Sequence, residues 1–260
     1  MKKIRLILGV VLLCSIAVFW FSIFYVFSGA GSPKEYSDGF FKYRFEHESK
    51  TEVSISGLTT LGKQQKFFVI PTEINGKKVK AIYNRRFSTM GKASVDFKND
   101  NLEKVFFPAN DINIINLRVE ENVKILFVTS PEDFDFGKLV KRATTYIYQG
   151  VFDLPWDLKY NEVFMEHIRE RFLTANVTYY VNCETDINNG VHWIDDVEYD
   201  GLIEFIPPTP IRDGYTFDGW YKEAECINIW DFSTDKTPVQ ILGADEQIVY
   251  QETKLFAKWV

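Results

Sequence analysis

The segment Arg212–Trp259 constrains the fold of this chain more than any other, because its aromatic residues and turn formers come in a fixed order. Within Arg212–Tyr221, Asp213-Gly214 supplies a turn. Tyr215, Phe217 and Gly219 then alternate with Thr216, Asp218 and Trp220, the period of two of a half-buried strand. Gly219 leaves space beside a large ring. Trp220, Trp230 and Trp259 are read as the residues large enough to fill a small sheet-built core, each burying on the order of 150–250 Å². Tyr215, Phe217 and Phe232 join them as core, in preference to stacking on a ligand. Pro207, Pro208 and Pro210 cannot donate to a central ladder and belong to an edge or a connection.

The same blocks extend upstream to Val177-Thr-Tyr-Tyr-Val181 and Asn188-Asn-Gly190, and include Pro207-Pro-Thr-Pro-Ile-Arg-Asp-Gly-Tyr-Thr-Phe-Asp-Gly-Trp-Tyr221, Trp230-Asp-Phe-Ser-Thr234 and Leu255-Phe-Ala-Lys-Trp259. In this order they resemble the Listeria–Bacteroides repeat, also called the internalin B-repeat. The resemblance implies a β-grasp-like sheet over residues 177–260 that folds alone. It also implies a place on the bacterial surface. Asn188-Asn-Gly190 departs from the Asn-Gly-Gly of the family and lies further from the opening strand, which predicts a longer first loop.

A second pattern lies in residues 40–150. Apolar runs open at Leu102, Val123 and Ala143, twenty-one and twenty residues apart, and a period in the twenties signals a solenoid whose neighbours stack to bury their apolar faces. Upstream, Ile70-Pro71, Ile74-Asn75-Gly76, Val79 and Ile82 resemble the leucine-rich repeat of the Treponema surface-antigen type, with Leu102, Val105 and Pro108 opening the next turn. Tyr83 and Arg86 depart from the small residues usual there, so the array is degenerate. Asn75-Gly76 is also a tight-turn dipeptide, and a simple hairpin over Phe67–Ile82 is the competing reading. Beyond the repeats, residues 151–176 are expected to form a connector helix that caps the solenoid. Tyr160, Phe164, His167, Ile168, Arg171 and Phe172 fall there at helical spacing.

Met1–Phe27 decides the compartment. Lys2, Lys3 and Arg5 precede twenty-two uncharged, apolar residues, Leu6–Phe27. About twenty apolar residues span a bilayer as a helix, whereas a secretory apolar core is typically about 7–15. Length favours a retained anchor over residues 1–30, with the basic residues cytoplasmic and the rest exported. Ser28-Gly29-Ala30 keeps a cleaved signal open, and with it secretion. Residues 31–39 read as a linker. The expected class is therefore mainly β with minor α: an N-terminal transmembrane helix, a short leucine-rich-repeat solenoid and a small β-grasp-like domain.

Charge is uneven. Residues 174–260 hold sixteen acidic against five basic side chains, a net of −11, within a whole-chain net of −6. An acidic module repels phosphate backbones, so no nucleic-acid partner is expected. Asp195, Asp196 and Glu198 lack the alternate oxygen spacing and central glycine of a calcium loop and read as a solvated acidic loop. Cys183 and Cys226 lie in one module, as a disulfide or as two small buried side chains. His47, His167 and His192 share no metal-like spacing, and nucleophile elbow, phosphate loop and dinucleotide fingerprint are missing. No metal, cofactor or catalytic residue is assigned, and the chain is read as not an enzyme.

Two functions follow from these expectations. One is adhesion to a host protein, matrix or anionic glycan, with the membrane engaged only through the N-terminal helix. The other is a structural spacer of the cell envelope. For adhesion, Lys77, Lys78, Lys80, Arg85 and Arg86 place five positive charges within ten residues around the Asn75-Gly76 turn, the candidate contact for an anionic polymer.

Overall fold

The structure, a computed structural model, describes residues 34–46, 49–83, 95–108, 112–114, 117–128, 145–149, 172–185 and 188–260. The first stretch contributes β1 (Tyr36–Asp38), β2 (Phe41–Phe45), β3 (Glu52–Leu58), β4 (Phe67–Val69), β5 (Glu73–Ile74), β6 (Lys77–Ile82) and β7 (Val95–Asp96). Next come β8 (Lys104–Phe107), β9 (Asn113–Ile114), β10 (Leu117–Arg118), β11 (Lys124–Phe127), β12 (Thr145–Tyr148) and β13 (Phe172–Thr174). The terminal stretch holds β14 (Val177–Tyr180), β15 (Val191–Asp195), β16 (Phe217–Tyr221), β17 (Ile241–Leu242), β18 (Ile248–Val249) and β19 (Thr253–Trp259). Among the described residues helix is confined to short 3-10 turns such as Gly62–Gln64 and Asn188–Gly190, and no helix is long and apolar enough to cross a membrane. The Met1–Phe27 segment lies outside them.

A five-stranded sheet in the order β13-β12-β11-β8-β4 is parallel throughout. Lys104, Lys124 and Thr145 stand side by side in it, so the runs that return every twenty-odd residues in sequence are lateral neighbours in space. Their composition follows from burial on both faces, which removes alternation and leaves continuous apolar strands. Val105, Phe107, Ile125, Phe127, Tyr146 and Tyr148 point into one core, and Phe106, Leu126 and Ile147 into another. None of these nine exceeds 4 % exposure.

The first core is closed by a second sheet, β1-β2-β3-β6-β5, with β9 also paired to β6. Val53, Ile55, Val79 and Ile82 supply its inner face, with Phe68 and Phe97 between the layers. Here β3, β6 and β9 run parallel, while β1 and β2 fold back antiparallel. Asn75 and Gly76 both take positive φ, 52° and 68°, which the two-residue β5–β6 turn requires. The hairpin thus begins only at Glu73, since β4 belongs to the parallel sheet.

Two expected boundaries need correction. The linker over 31–39 contains β1, whose Tyr36 stacks on Tyr43 with centroids 5.6 Å apart, while the Glu35 carboxylate accepts hydrogen bonds from Ser56 at 2.8 Å and Arg44 at 3.2 Å. These contacts hold the chain onto the sheet from its first described residues. The connector helix falls outside the described residues up to 171, but its last turn is not helix: β13 pairs in parallel with Tyr146, Ile147 and Tyr148. An open parallel edge offers those backbone groups partners that a helix end would leave unmade.

The terminal sheet has the order β15-β14-β19-β16, with β14 and β19 parallel and the outer pairs antiparallel. Asn176 joins it to the parallel sheet. Its backbone N–H donates to Asp195 at 3.1 Å and its carbonyl accepts from Thr253 at 2.7 Å. The side-chain amide exchanges two bonds with Val197, at 2.6 and 2.9 Å. A single residue after β13 therefore fixes three strands of the next sheet.

Candidate functional site

The basic cluster is less available than its sequence suggests. Lys77 Nζ donates to the Asn75 carbonyl at 3.1 Å and lies 5.7 Å from the Phe45 ring. Lys80 pairs with Glu52 at 3.6 Å. Lys78 is exposed and stands opposite Glu73 in the hairpin. Arg85 and Arg86 lie outside the described residues. Period-two geometry separates Lys78 and Lys80 from Lys77, so the three do not form one face.

The outward face of the parallel sheet is covered by the terminal sheet. Trp193 is fully buried, tilted over Phe106 with centroids 4.6 Å apart and stacked on Phe205 at 5.3 Å; Phe67 meets it edge-on at 6.2 Å. Beside this stack Lys104 of β8 forms a buried ion pair with Asp195 of β15 and sits 4.1 Å from the Phe205 ring. Burial holds the Lys104 ammonium below its ordinary pKa, against the pull of Asp195. The acidic loop expected at Asp195–Glu198 is thus not solvated at its start, because Asp195, 2 % exposed, is turned inward to meet this lysine. Burial raises the pKa of neighbouring Asp196. Among the described residues no group of three or more metal-ligating side chains comes together.

The expected terminal core divides. Trp220 and Trp230 are buried at 3 % and 8 %, and Phe217, Phe232 and Trp259 are partly buried against the same cluster. Trp259 Nε1 donates to the Val181 carbonyl at 2.6 Å. Tyr215 is not core: it is 51 % exposed, with the Arg212 guanidinium 3.7 Å from its ring. It lies ahead of β16, its backbone N–H closing the turn onto the Arg212 carbonyl at 3.2 Å, and a β-bulge follows within the strand. Phe217 faces Trp259 and Gly219 faces Lys258, leaving Asp218 unmatched, so Phe217 and Trp220 come to one side with centroids 5.2 Å apart. The strict alternation read from sequence ends there. Trp193, Tyr179, Leu255 and Ala257, absent from the expected core, are among its most buried members.

On the other face of the terminal sheet Thr178 and Ile194 are fully buried, while Tyr180 and Phe256 are only half-buried. Tyr180 of β14 and Phe256 of β19 are register partners whose rings stack at 5.3 Å and 17°. They line a cleft of ≈330 Å³ with Asn182, Cys183, Asn189 and Gly190. Asn182 is pinned, its amide nitrogen donating to Ala224 O at 2.9 Å and Ala257 O at 3.2 Å. Gln149, just past β12, donates to the Tyr180 hydroxyl at 3.5 Å. Burial raises the Tyr180 pKa, so its phenol is neutral. Cys183 and Cys226 are both free, and burial pushes the Cys226 thiol up.

Comparison with known proteins agrees with this architecture at its terminal end. Residues 176–241 match the family model of the Listeria–Bacteroides repeat domain. Internalin H of Listeria monocytogenes serovar 1/2a is 29 % identical over 109 residues, 39 % of this chain and 20 % of that protein. The chain thus spans a fifth of the length of the curated relative it matches. The structural unit outlasts the matched segment, since β19 lies between β14 and β16 and without it the sheet separates. Residues 176–241 are a Listeria–Bacteroides repeat domain, and the relationship to internalin H points to a bacterial surface protein.

Proposed function

We propose that this chain is an envelope-anchored bacterial surface protein that adheres to a host protein, matrix or glycan, with a leucine-rich-repeat solenoid and a Listeria–Bacteroides repeat working as one rigid unit. The apolar run Leu6–Phe27 after Lys2, Lys3 and Arg5 supports the anchor. The stacked parallel strands at steps of 20 and 21 residues support the solenoid. Adhesion rests on one observation. On the terminal sheet the stacked Tyr180 and Phe256 are only half-buried and line a cleft, whereas the described strands of the parallel sheet are buried on both faces. The contact surface is therefore on the terminal repeat.

A spacer reading has its own support, because the docking of Trp193 on Phe106 stiffens the unit without any ligand. Beads coated with the full chain separate the two. Adhesion gives retention on host cells or matrix above albumin-coated beads, and a spacer gives none. Fractionation of producing cells, with protease added from outside, tests anchoring: the chain should sediment with membranes and lose residues 31–260. A mature form in the medium would sink the anchor and leave export standing.

A further inference from the structure

We propose that the cleft floored by Tyr180 and Phe256 binds a neutral saccharide, an assignment that rests on the adhesion reading and names its ligand class. Chemistry of the lining selects the ligand. Tyr180, Asn182, Cys183, Asn189, Gly190 and Phe256 include no charged side chain, in a segment whose net charge is −11. Neither a sulfated nor a sialylated chain finds a counter-charge here. An apolar floor beside two amides, Asn182 with its oxygen left to accept and Asn189 with both donor and acceptor, matches a molecule with C–H faces and hydroxyl edges. The cleft volume, ≈330 Å³, sits at the lower end of the roughly 300–1,000 Å³ of small-ligand sites.

Topology argues against an extended peptide. Tyr180 and Phe256 belong to the two central strands of the order β15-β14-β19-β16, so their backbone groups are already paired across the ladder. A peptide adding as a strand needs a free edge. Recognition over this face must come from side chains. The cleft is also held in place: Asn182 is fixed by the Ala224 and Ala257 carbonyls, and the two rings by their cross-strand stacking. A preformed floor avoids ordering losses on binding.

The test uses the full chain on an array of short neutral hexose and N-acetylhexosamine oligosaccharides, with sialylated glycans, sulfated glycans and matrix proteins printed alongside. Retention on a subset of the neutral glycans, unchanged as salt is raised, is expected. Phe256→Ala should weaken it roughly tenfold, a loss of about 1.4 kcal/mol from the missing ring contact. Phe256 is half-buried, so a second variant guards against misfolding: Asn189→Gly, at an exposed residue with φ 52°, keeps the backbone and should also weaken binding. Saturating the chain with the best neutral oligosaccharide should slow alkylation of Cys183, read by peptide mapping. Retention only on charged glycans, or equal retention by both variants, overturns the assignment. Retention on matrix proteins but on no glycan overturns the cleft and leaves adhesion standing; retention nowhere removes both.

Discussion

The last strand of the terminal sheet is buried differently from the strands of the parallel sheet. In the parallel sheet Lys104–Phe107 are buried at four successive positions, and Ile125–Phe127 and Tyr146–Tyr148 at three. In β19 burial alternates, with Thr253, Leu255 and Ala257 inside and Lys254 exposed. The parallel sheet is covered on both faces, whereas the terminal sheet is covered on both only at Thr178 and Ile194, which are fully buried, and on one along β19. Since the second layer over the parallel sheet is the terminal sheet, the repeat domain is part of the wall of its neighbour. Two segments that look like separate modules in sequence share a core.

That comparison breaks most visibly at Trp193. Trp193→Ala removes the ring between Phe106, Phe205 and Phe67 and should cost about 3–5 kcal/mol. If the sheets share a core, heating the variant gives one transition at a lower temperature, seen equally by probes in both regions. Two separated transitions, only one of them shifted, would show independent domains. The same coupling predicts that residues 177–260 alone, expected from family resemblance to fold by themselves, expose the Trp193 face and associate.

The ion pair beneath that face sharpens the same point. Asp195→Ala strands Lys104 in the interior, where its side chain is 11 % exposed, and should destabilise by about 3 kcal/mol. The double replacement Lys104→Met, Asp195→Leu should recover most of that loss in denaturant titrations, because an apolar pair of similar volume needs no desolvation. If Asp195→Ala alone is neutral, the two sheets are held by aromatic contacts only.

Sequence made the strands legible and their covering illegible. The returns at Leu102, Val123 and Ala143 and the Asn75-Gly76 turn are local patterns, and local patterns survive in one dimension. The continuous apolar runs Val105-Phe106-Phe107 and Ile125-Leu126-Phe127 already carried the signal of two buried faces, but nothing local says what covers the second. Trp193 and Asp195 gain their roles from partners about ninety residues upstream, Phe106 and Lys104. Tyr215 was misplaced because alternation was extended into the Arg212 turn, before the ladder begins at Phe217, and Trp220 changes parity at the bulge of Asp218 and Gly219. The open cleft was missed for a similar reason, since Tyr180 and Phe256 become neighbours only when the first and last strands of the repeat pair.

The bulge has a test of smaller size. Gly219 has φ +131°, and a Cβ there would stand 3.3 Å from Ile229 Cδ1. Gly219→Ala should cost about 1–3 kcal/mol through backbone strain. The loss should be registered first at β16 and β19 in hydrogen exchange, where the ladder is bulged. An unchanged melting temperature would mean that the bulge relaxes without the glycine.

The smallest expected effect asks whether a proton felt by one sheet is felt by the other. His192 Nε2 donates to the Pro208 carbonyl at 2.6 Å, and burial, only partly opposed by that bond, lowers its pKa from the ordinary 6.5. The unfolded chain therefore takes up this proton at a higher pH than the folded one. Stability from this group is complete above pH 6.5 and declines as pH falls through the interval between that value and the lowered folded pKa, by at most about 1.4 kcal/mol per pH unit. Asp196, raised by burial, acts in the opposite sense at lower pH, so the informative quantity is the difference between the parent chain and His192→Gln. The variant should show a flatter stability profile between neutral pH and about pH 5. In a shared core the amides of Ile125 and Leu126, on the parallel sheet, lose protection on acidification in step with those of the terminal sheet; if only the terminal amides respond, the docking between the sheets opens before either unfolds.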